Sequence, residues 1–447
     1  MQPKTTRPFV LGIMMTDEWA ASPNMGEPKG DGQNQRAAMK SIRTAEGTRT
    51  LISGQSIGSW HRATLYDRFG WKISELQETL SGRDTRQFYT QCQPIEFAED
   101  DGRGYLAAVT IVKGSPLTTK RTSPFMLSQF QSLAPFAPST EFGILARGLD
   151  ELPEESKGNM IFQSELAAAS YAGMFALNCS ELGVFTVGSG RDLLPLSDLK
   201  KGLPADNFKA LAKAPDKQTN EDRTKVSEVT KALKRCVDYE RGTMLALPAP
   251  ERKERAHNLI AAMGELEGGA LQTRRLYNVA PASALVAFMD GGNCLPPHIF
   301  RAVRENPDLG RNSPMRYEVD IDRLWKILRD NASRFLPMGE GDFNLFFGTL
   351  GAPTIANEAA VRDLLEGNDT SRPLPPEVKA KVCDGPRAAI RSAADAIPEA
   401  WFAKPERATE ITPDLAFGEK LLSVLGTTAP VSAKEKATDE PTLDLQS

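Results

Sequence analysis

The chain has 447 residues, and its 54 lysines and arginines are outnumbered by 58 aspartates and glutamates, which gives a formal net charge of −4. With 40% hydrophobic and 25% charged residues, the composition is that of a globular protein and excludes a wholly disordered chain. No apolar run reaches the ~18 residues of a membrane-spanning helix, and the run at residues 9–15 is too short for a signal peptide, so no membrane partner is expected. The five cysteines show no CxxC spacing, which argues against zinc and disulfides and favours a cytoplasmic protein.

The first part of the chain contains two predicted strands and one well-marked helix. Residues 9–15 and 105–111 are apolar runs typical of strands, and a polar, glycine-bearing loop at residues 19–35 is long enough to be functional. Ser53 predicts the start of a helix over residues 55–66, because its hydroxyl can cap the first turn. The apolar side of that helix is formed by Ile57, Trp60, His61 and Leu65.

The middle of the chain is less regular. Residues 118–142 contain three prolines, which favours an irregular hairpin or arm over a central strand. Residues 160–185 are ambiguous between helix and strand, although alternation around Leu177 favours a strand. Further on, two amphipathic helices and a buried strand are predicted at residues 226–236, 259–266 and 283–289, the second helix ending at the glycines 268 and 269.

Beyond residue 295 the sequence predicts helices separated by proline-rich joints. We expect residues 296–426 to form a mostly helical extension of unknown role, and residues 427–447, which lack aromatic residues, to form a disordered tail. Strands and helices alternate irregularly before residue 290, which indicates an α+β fold.

No organised active site is predicted. The three histidines, His61, His257 and His298, have no metal-ligand or nucleophile spacing, and His61 lies on the predicted buried side of its helix. The chain lacks HExxH, GxSxG, a P-loop and a GxGxxG that follows a strand. Asp100 and Asp101 are interpreted as solvated acids. We therefore predict no catalytic residue, no metal and no cofactor.

Several short segments carry the side chains that bind phosphates without reading bases. Each combines cations with hydroxyl or amide donors, and glycines nearby allow close approach of the backbone to a polyanion. The candidate residues are Lys40, Arg43, Ser53, Gln55, Arg62, Lys120, Arg121, Thr122, Ser123, Gly269, Gln272, Arg274 and Arg275.

The order of these segments is recognisable. The blocks in question are residues 39–43, 51–57 with Trp60 and Arg62, 69–72, Asp101 with Gly104 and Tyr105, 120–124, 127–128, 141–143, 182–185, 266–270 and 279–281. In this order they resemble the DevR family of CRISPR-associated proteins, the "Cas seven" backbone subunit of type I-B Cascade. The resemblance covers residues 9–295. The chain differs from the family pattern at Gly58, where an arginine is usual, and at Gly102 and Arg103, where an apolar pair is usual.

The resemblance implies a modified RRM, or ferredoxin-like, palm over residues 1–295, with an inserted β-hairpin thumb at about 113–145 and helical finger segments. It implies that copies of the chain form a helical filament along one CRISPR guide RNA and associate with other Cascade subunits. The guide then pairs with target DNA, so that base pairing recognises the target sequence and the protein binds the backbone of the guide RNA. On this basis the residues from Lys40 to Arg62 would line the palm, those from Lys120 to Ser123 the thumb, and those from Gly269 to Arg275 a second RNA-binding segment.

Two other functions stay open at this stage. Related backbone subunits of type III systems cleave target RNA with a loop aspartate, and Asp31 in the glycine-bearing loop is the acid that could do so here. The family name also records an autoregulatory role, although no segment has the pattern of a basic helix-turn-helix.

Overall fold

The computed structural model describes most of the chain between residues 6 and 410. The described residues are 6–17, 19–22, 25–29, 36–81, 85–112, 115–135, 139–144, 161–186, 192, 210, 213–233, 237–239, 244–269, 278–292, 297–351, 354–403 and 409–410. No helix within these ranges has both the length and the apolar character needed to cross a bilayer.

The strands, in chain order, are β1 (Pro8–Thr16), β2 (Trp19–Ala21), β3 (Met25–Lys29), β4 (Arg36–Met39), β5 (Ser41–Thr44), β6 (Gly47–Ile52), β7 (Gln77–Ser81), β8 (Thr85–Tyr89), β9 (Tyr105–Val112), β10 (Ser115–Arg121), β11 (Phe125–Leu127), β12 (Phe130–Ser132), β13 (Ser139–Ile144), β14 (Ile161–Ala169), β15 (Tyr171–Asn178), β16 (Val184–Thr186), β17 (Val237–Tyr239), β18 (Met244–Ala246), β19 (Pro281–Asp290), β20 (Phe300–Arg304), β21 (Met315–Val319), β22 (Leu345–Thr349), β23 (Ala380–Val382) and β24 (Thr409–Glu410). The α-helices are α1 (Gly54–Phe69), α2 (Ala98–Arg103), α3 (Asn220–Leu233), α4 (Ala249–Gly264), α5 (Ile321–Asp330), α6 (Glu358–Leu365) and α7 (Pro386–Asp395).

The chain divides into two compact units. The first contains residues 1–105, 121–184 and 247–405, and the second contains residues 106–120, 185–246 and 406–447. Mixed strands and helices in the first unit confirm the α+β class.

A nine-stranded sheet is the centre of the first unit. Its order is β23-β22-β19-β1-β15-β12-β6-β5, with β11 also paired to β15. The central strand β1 is antiparallel to both β15 and β19, and all nine of its residues are buried. A strand buried along its whole length must have both faces of its sheet covered.

The alternation of side chains along β1 separates two hydrophobic cores. Val10 and Met14 point to the face that is packed against α1, α4 and α7, whereas Leu11 and Ile13 point to the face that is packed against α5 and α6. The predicted first strand is therefore confirmed, and so are the capped first helix and the strand at residues 283–289. Helix α4 ends at Gly264, before the predicted glycines.

The segment after residue 296 is part of this unit and not a separate helical extension, which corrects the predicted domain boundary. Strand β22 is antiparallel to β19, β23 is parallel to β22, and α5 and α6 cover the second face of the sheet. Helix α7 packs against α4 on the first face. The sequence pattern identified the helices and missed the two short strands that join them to the sheet.

The proline-bearing segment at residues 118–142 is also more regular than predicted. Strands β11 and β12 belong to the central sheet, and the rings of Phe125 and Phe130 are fully buried. The ambiguous region that follows forms the strands β14 and β15, as the alternation around Leu177 indicated.

The second unit contains the β9–β10 pair, the sheet β16-β18-β17-β24 and the helix α3. Helix α3 confirms the first predicted amphipathic helix as far as Leu233. The predicted disordered tail at residues 427–447 lies outside the described residues.

Candidate nucleic-acid interface

The start of α1 is built by a serine cap and a glycine. Ser53 has extended backbone angles, and its Oγ accepts a hydrogen bond of 3.2 Å from the backbone N–H of Ser56, as the sequence predicted. A Cβ atom at Gly54 would lie 3.0 Å from the carbonyl oxygen of Leu127, so any larger residue would require the β11 segment to move a few tenths of an ångström away from the helix start.

An open cleft of about 520 Å³ lies at this point, between the start of α1, the end of α2 and β11. Its lining combines amides, hydroxyls, one cation and an apolar wall, and none of these lining residues is acidic. The lining residues are Ser53, Gly54, Gln55, Arg103, Ser123, Phe125, Met126, Leu127 and Gln129. The first backbone N–H groups of a helix have no partner within the helix, so the start of α1 adds donors and a positive dipole end to this surface.

Arg103 is the charged residue of the cleft. Its guanidinium carbon lies 5.9 Å from the centroid of the Phe125 ring, and the Phe125 ring stacks in turn on His61 at 4.7 Å. Burial, and secondly the neighbouring Arg62, lower the pKa of the Arg103 guanidinium to about 10. The group therefore carries a positive charge in a place where that charge is poorly solvated.

Of the predicted binding residues, Ser53, Gln55 and Ser123 line this cleft. Gln55 is exposed, whereas the Ser123 hydroxyl donates to the carbonyl oxygens of Gly102 and Phe125. Ser123 therefore shapes the loop, and Gln55 is the predicted residue whose side chain is free to reach a ligand there.

The two cations of the first predicted segment are exposed. Lys40 precedes β5 and Arg43 lies on it, and β5 is the last strand in the order of the nine-stranded sheet. Strand β6 pairs with β5 and leads directly into Ser53. The sheet edge and the cleft are therefore connected through one strand. Lys120 and Thr122 are exposed as well.

Arg62 forms an ion pair with Glu99, whose side chain is buried. The Tyr66 hydroxyl donates to the same carboxylate, and burial followed by that hydrogen bond raises the pKa of Tyr66. Because its side chain is still 39% exposed, Arg62 can face solvent while it neutralises Glu99.

Arg121 is held inside the protein. Its guanidinium forms an ion pair with Asp101 and donates to the carbonyl oxygens of Val184 and Glu181 at 2.9 and 3.0 Å. Arg255 contacts the other oxygen of Asp101 at 2.8 Å. Arg121 thus fastens α2 to the strand end rather than presenting its charge to a ligand in this structure.

The interpretation of Asp100 and Asp101 as solvated acids is wrong. Both carboxylates are fully buried on the short helix α2, and Asp100 accepts hydrogen bonds from the Ser74 hydroxyl and the Gln93 backbone N–H. Burial is the first cause that raises the pKa of Asp100. Neighbouring acids in a short helix can both be buried when partners surround the helix, and the sequence pattern did not show those partners.

Gly268 has a packing role. A Cβ atom there would overlap the Trp60 side chain on α1, so this backbone approaches a tryptophan of its own chain. Gly269 follows it with φ of +144°, a conformation that favours glycine. Gln272, Arg274, Arg275 and Asp31 lie outside the described residues.

His61 is the buried core histidine that its position on the helix predicted. Its Nε2 lies 2.9 Å from the Leu259 carbonyl oxygen, and burial, then the charge of Arg103, lower its pKa to about 3. Among the described residues no cluster of three metal-ligating side chains occurs.

Sequence reasoning missed Arg103, Gln129 and the apolar wall of the cleft. Arg103 was seen only as a departure from a family pattern, and Phe125 to Leu127 lay within the presumed arm. The signal that could have found Arg103 is its combination with Gly58, because an arginine can occupy space that a glycine leaves open.

The model of the family described as "CRISPR-associated negative auto-regulator DevR/Csa2" matches residues 20–302. No curated protein matches the chain. A solved structure described as "CRISPR RNA-guided surveillance complex" aligns with 11% identity and a TM-score of 0.36, covering 87% of this chain and 99% of the other. A second, described as "CRISPR RNA-guided surveillance complex, pre-nicking", aligns with 8% identity and a TM-score of 0.39 at the same coverage. Because both TM-scores are below 0.5, the assignment to a family rests on the sequence match.

Proposed function

Since the chain belongs to the CRISPR-associated DevR/Csa2 family, we propose that it is the guide-RNA-binding backbone subunit of a type I-B-like Cascade complex. Copies of the chain associate along one guide RNA, bind its phosphates and leave its bases free to pair with target DNA. Other Cascade subunits complete the assembly.

The cleft at the start of α1 is the observation that carries this proposal. It presents amide groups, helix N–H groups and one guanidinium, and its lining residues include no carboxylate that would repel a phosphate. Each of these donors can bind a phosphate oxygen of any nucleotide. Such a surface suits a protein that must accept any guide sequence.

The exposed cations Lys40 and Arg43 extend this surface along the sheet edge. The net charge of −4 is compatible with RNA binding because electrostatic attraction is screened within about 8–10 Å at physiological salt, so local charge decides. Many of the acids near the cleft are neutralised within the chain, as Asp101 and Glu99 are.

We also propose that the first unit is an RRM-like palm, with the antiparallel strands β15, β1 and β19 at its centre. Strands β11 and β12 belong to the same sheet, so the proposed thumb is restricted to the β9–β10 pair and does not extend to residue 145.

The proposed role includes no chemistry on RNA. The buried acids of α2 are engaged with arginines, a serine and backbone N–H groups, and they form no open acid pair. Metal-dependent cleavage of an RNA complementary to the guide, lost in Asp31→Ala, would contradict this part of the proposal.

Binding of single-stranded RNA by the double variant Lys40→Ala/Arg43→Ala tests the proposed interface. Both side chains are exposed, so the variant should fold normally while its affinity falls by a similar factor for RNAs of unrelated sequence. The slope of log affinity against log salt should decrease by up to about 0.7 per lost phosphate contact. Fluorescence anisotropy over a salt series measures both quantities.

The matched control is Arg323→Ala/Lys326→Ala, which removes two exposed cations from α5 on the other face of the sheet. Equal loss of affinity in both double variants would show a diffuse charge effect and contradict the proposed interface. A loss of affinity confined to particular RNA sequences would contradict binding to the RNA backbone.

A further inference from the structure

Arg103 and Gly58 form a matched pair. A Cβ atom at Gly58 would overlap Nη2 of Arg103, so the guanidinium lies directly against the backbone of α1. A side chain at position 58 and the present position of Arg103 exclude each other. The sequence contains a compatible combination, with a glycine at position 58 on α1 and an arginine at position 103 on α2.

The Arg103 side chain is largely buried, and the negative charge that acts on it within the described part of the chain is that of Glu99. Among the described residues it forms no ion pair within 4 Å and no hydrogen bond, and its recorded contact is with the face of Phe125. The acid closest to this region, Glu99, is engaged by Arg62 and Tyr66. Burying a guanidinium in such a place raises the free energy of the folded protein unless an anion binds the group.

The surroundings of Arg103 select the kind of anion. The cleft is open on one side and offers the amides of Gln55 and Gln129 and the first N–H groups of α1. Several donors that converge on an open site suit the tetrahedral oxygens of a phosphate, and arginine binds phosphate with two parallel hydrogen bonds. Phe125, Met126 and Leu127 provide an apolar surface beside it.

We propose that Arg103 binds one phosphate of the RNA backbone in this cleft, from a position that is available only because residue 58 is glycine. The inference rests on the proposed function and identifies one contact within it. Arg103 is thereby a binding residue, while Gly58 acts through Arg103 as a positioning residue.

The test uses the full chain and a labelled single-stranded RNA. Arg103→Leu keeps apolar volume and removes the charge, so affinity should fall roughly tenfold or more, the scale of one charge-assisted contact. The salt slope should decrease by roughly 0.7, and Arg103→Lys should lose less. The exposed Arg323→Leu on α5 is the control and should bind as the unaltered protein does.

Thermal unfolding without RNA separates binding from a structural role. Removing an unpaired, largely buried charge should leave the melting temperature of Arg103→Leu unchanged or raise it. A lower melting temperature together with the loss of binding would overturn the proposal, because Arg103 would then act by holding the fold.

The exchange variant Gly58→Arg/Arg103→Leu brings a cation to the same cleft from α1. It should recover most of the affinity that Arg103→Leu loses. Gly58→Arg alone should bind less tightly than the unaltered chain, because two guanidinium groups would compete for one space. Unchanged binding by Arg103→Leu would overturn this inference and leave the proposed function standing. Failure of the unaltered chain to bind RNA would overturn both.

Discussion

Asp101 is the residue on which the charge arrangement of the first unit depends. Its two carboxylate oxygens contact Arg121 and Arg255, and the Gly183 backbone N–H also donates to it at 3.0 Å. All three charged side chains are buried. The acid thus joins α2, the end of β10 and α4 in one network.

Replacing Asp101 by asparagine should lower the free energy of unfolding by about 3–5 kcal/mol, because two buried guanidinium groups would lose their counter-ion. Urea unfolding measures this change. The exposed Asp384→Asn serves as the control and should change stability by less than about 0.5 kcal/mol. A similarly small effect at Asp101 would show that the network contributes little to the fold.

Because His61 is buried, the stability of the protein should depend on pH. Burial lowers its pKa from 6.5 to about 3, so between these values the unfolded chain binds a proton that the folded protein does not. Stability contributed by the neutral ring is therefore complete above pH 6.5 and is lost as the pH falls, by up to about 1.4 kcal/mol per pH unit.

Comparison with His61→Phe isolates this effect from other titrating groups, among them Asp100. The stability difference between the two proteins should shift by about 2 kcal/mol in favour of the variant between pH 7.5 and pH 5. Urea unfolding at each pH provides the measurement. Parallel stability curves would mean that the ring takes up its proton as readily in the folded protein as in the unfolded chain.

At this scale the sequence predicted residues with local roles and missed those with distant partners. Ser53 and His61 were found because helix caps and helix faces are readable from neighbours in sequence. The burial of Asp101 depends on Arg255, 154 residues away, and no local pattern indicates that contact. The same limit hid the relation between Gly58 and Arg103.

Among the elements, the central strands pack closely because glycines make room for aromatic rings. A Cβ atom at Gly173 on β15 would overlap the ring of Phe130 on β12, and one at Gly12 on β1 would overlap Phe175. These glycines allow two rings to lie flat across neighbouring strands. Gly173 is therefore a packing position rather than a flexible one.

Gly173→Ala should destabilise the protein by about 1–3 kcal/mol through overpacking. Adding Phe130→Leu should recover part of the loss, because the smaller side chain vacates the space that the new methyl group needs. Denaturant unfolding of both variants tests this. If Gly173→Ala leaves the free energy of unfolding unchanged, the Phe130 ring moves aside freely.

The strongly patterned elements were predicted and the short ones were not. Strands β1 and β19 and helices α1 and α5 have long apolar runs or clear helical spacing, which identify them without tertiary information. Strands β11, β22 and β23 have three to five residues, and prolines or glycines surround them. Their pairing with β15, β19 and β22, respectively, is what makes them strands.

For the whole molecule, the segment after residue 296 is required to complete the fold of the first unit. It supplies two strands and three helices to a sheet whose remaining strands come from the first 290 residues. The proposed RNA-binding cleft and the sheet edge with Lys40 are built by the earlier residues. The later part of the chain thus completes the sheet on which the proposed RNA-binding surface lies.

The measurement that tests the central claim most directly is sequencing of the RNA that co-purifies with this protein from cells carrying its own CRISPR array. The account predicts uniform spacer-repeat RNAs, protected from nuclease at regular intervals, and their loss in the Lys40→Ala/Arg43→Ala variant. Recovery of unrelated RNA, or of no RNA even when the partner subunits are present, would contradict it.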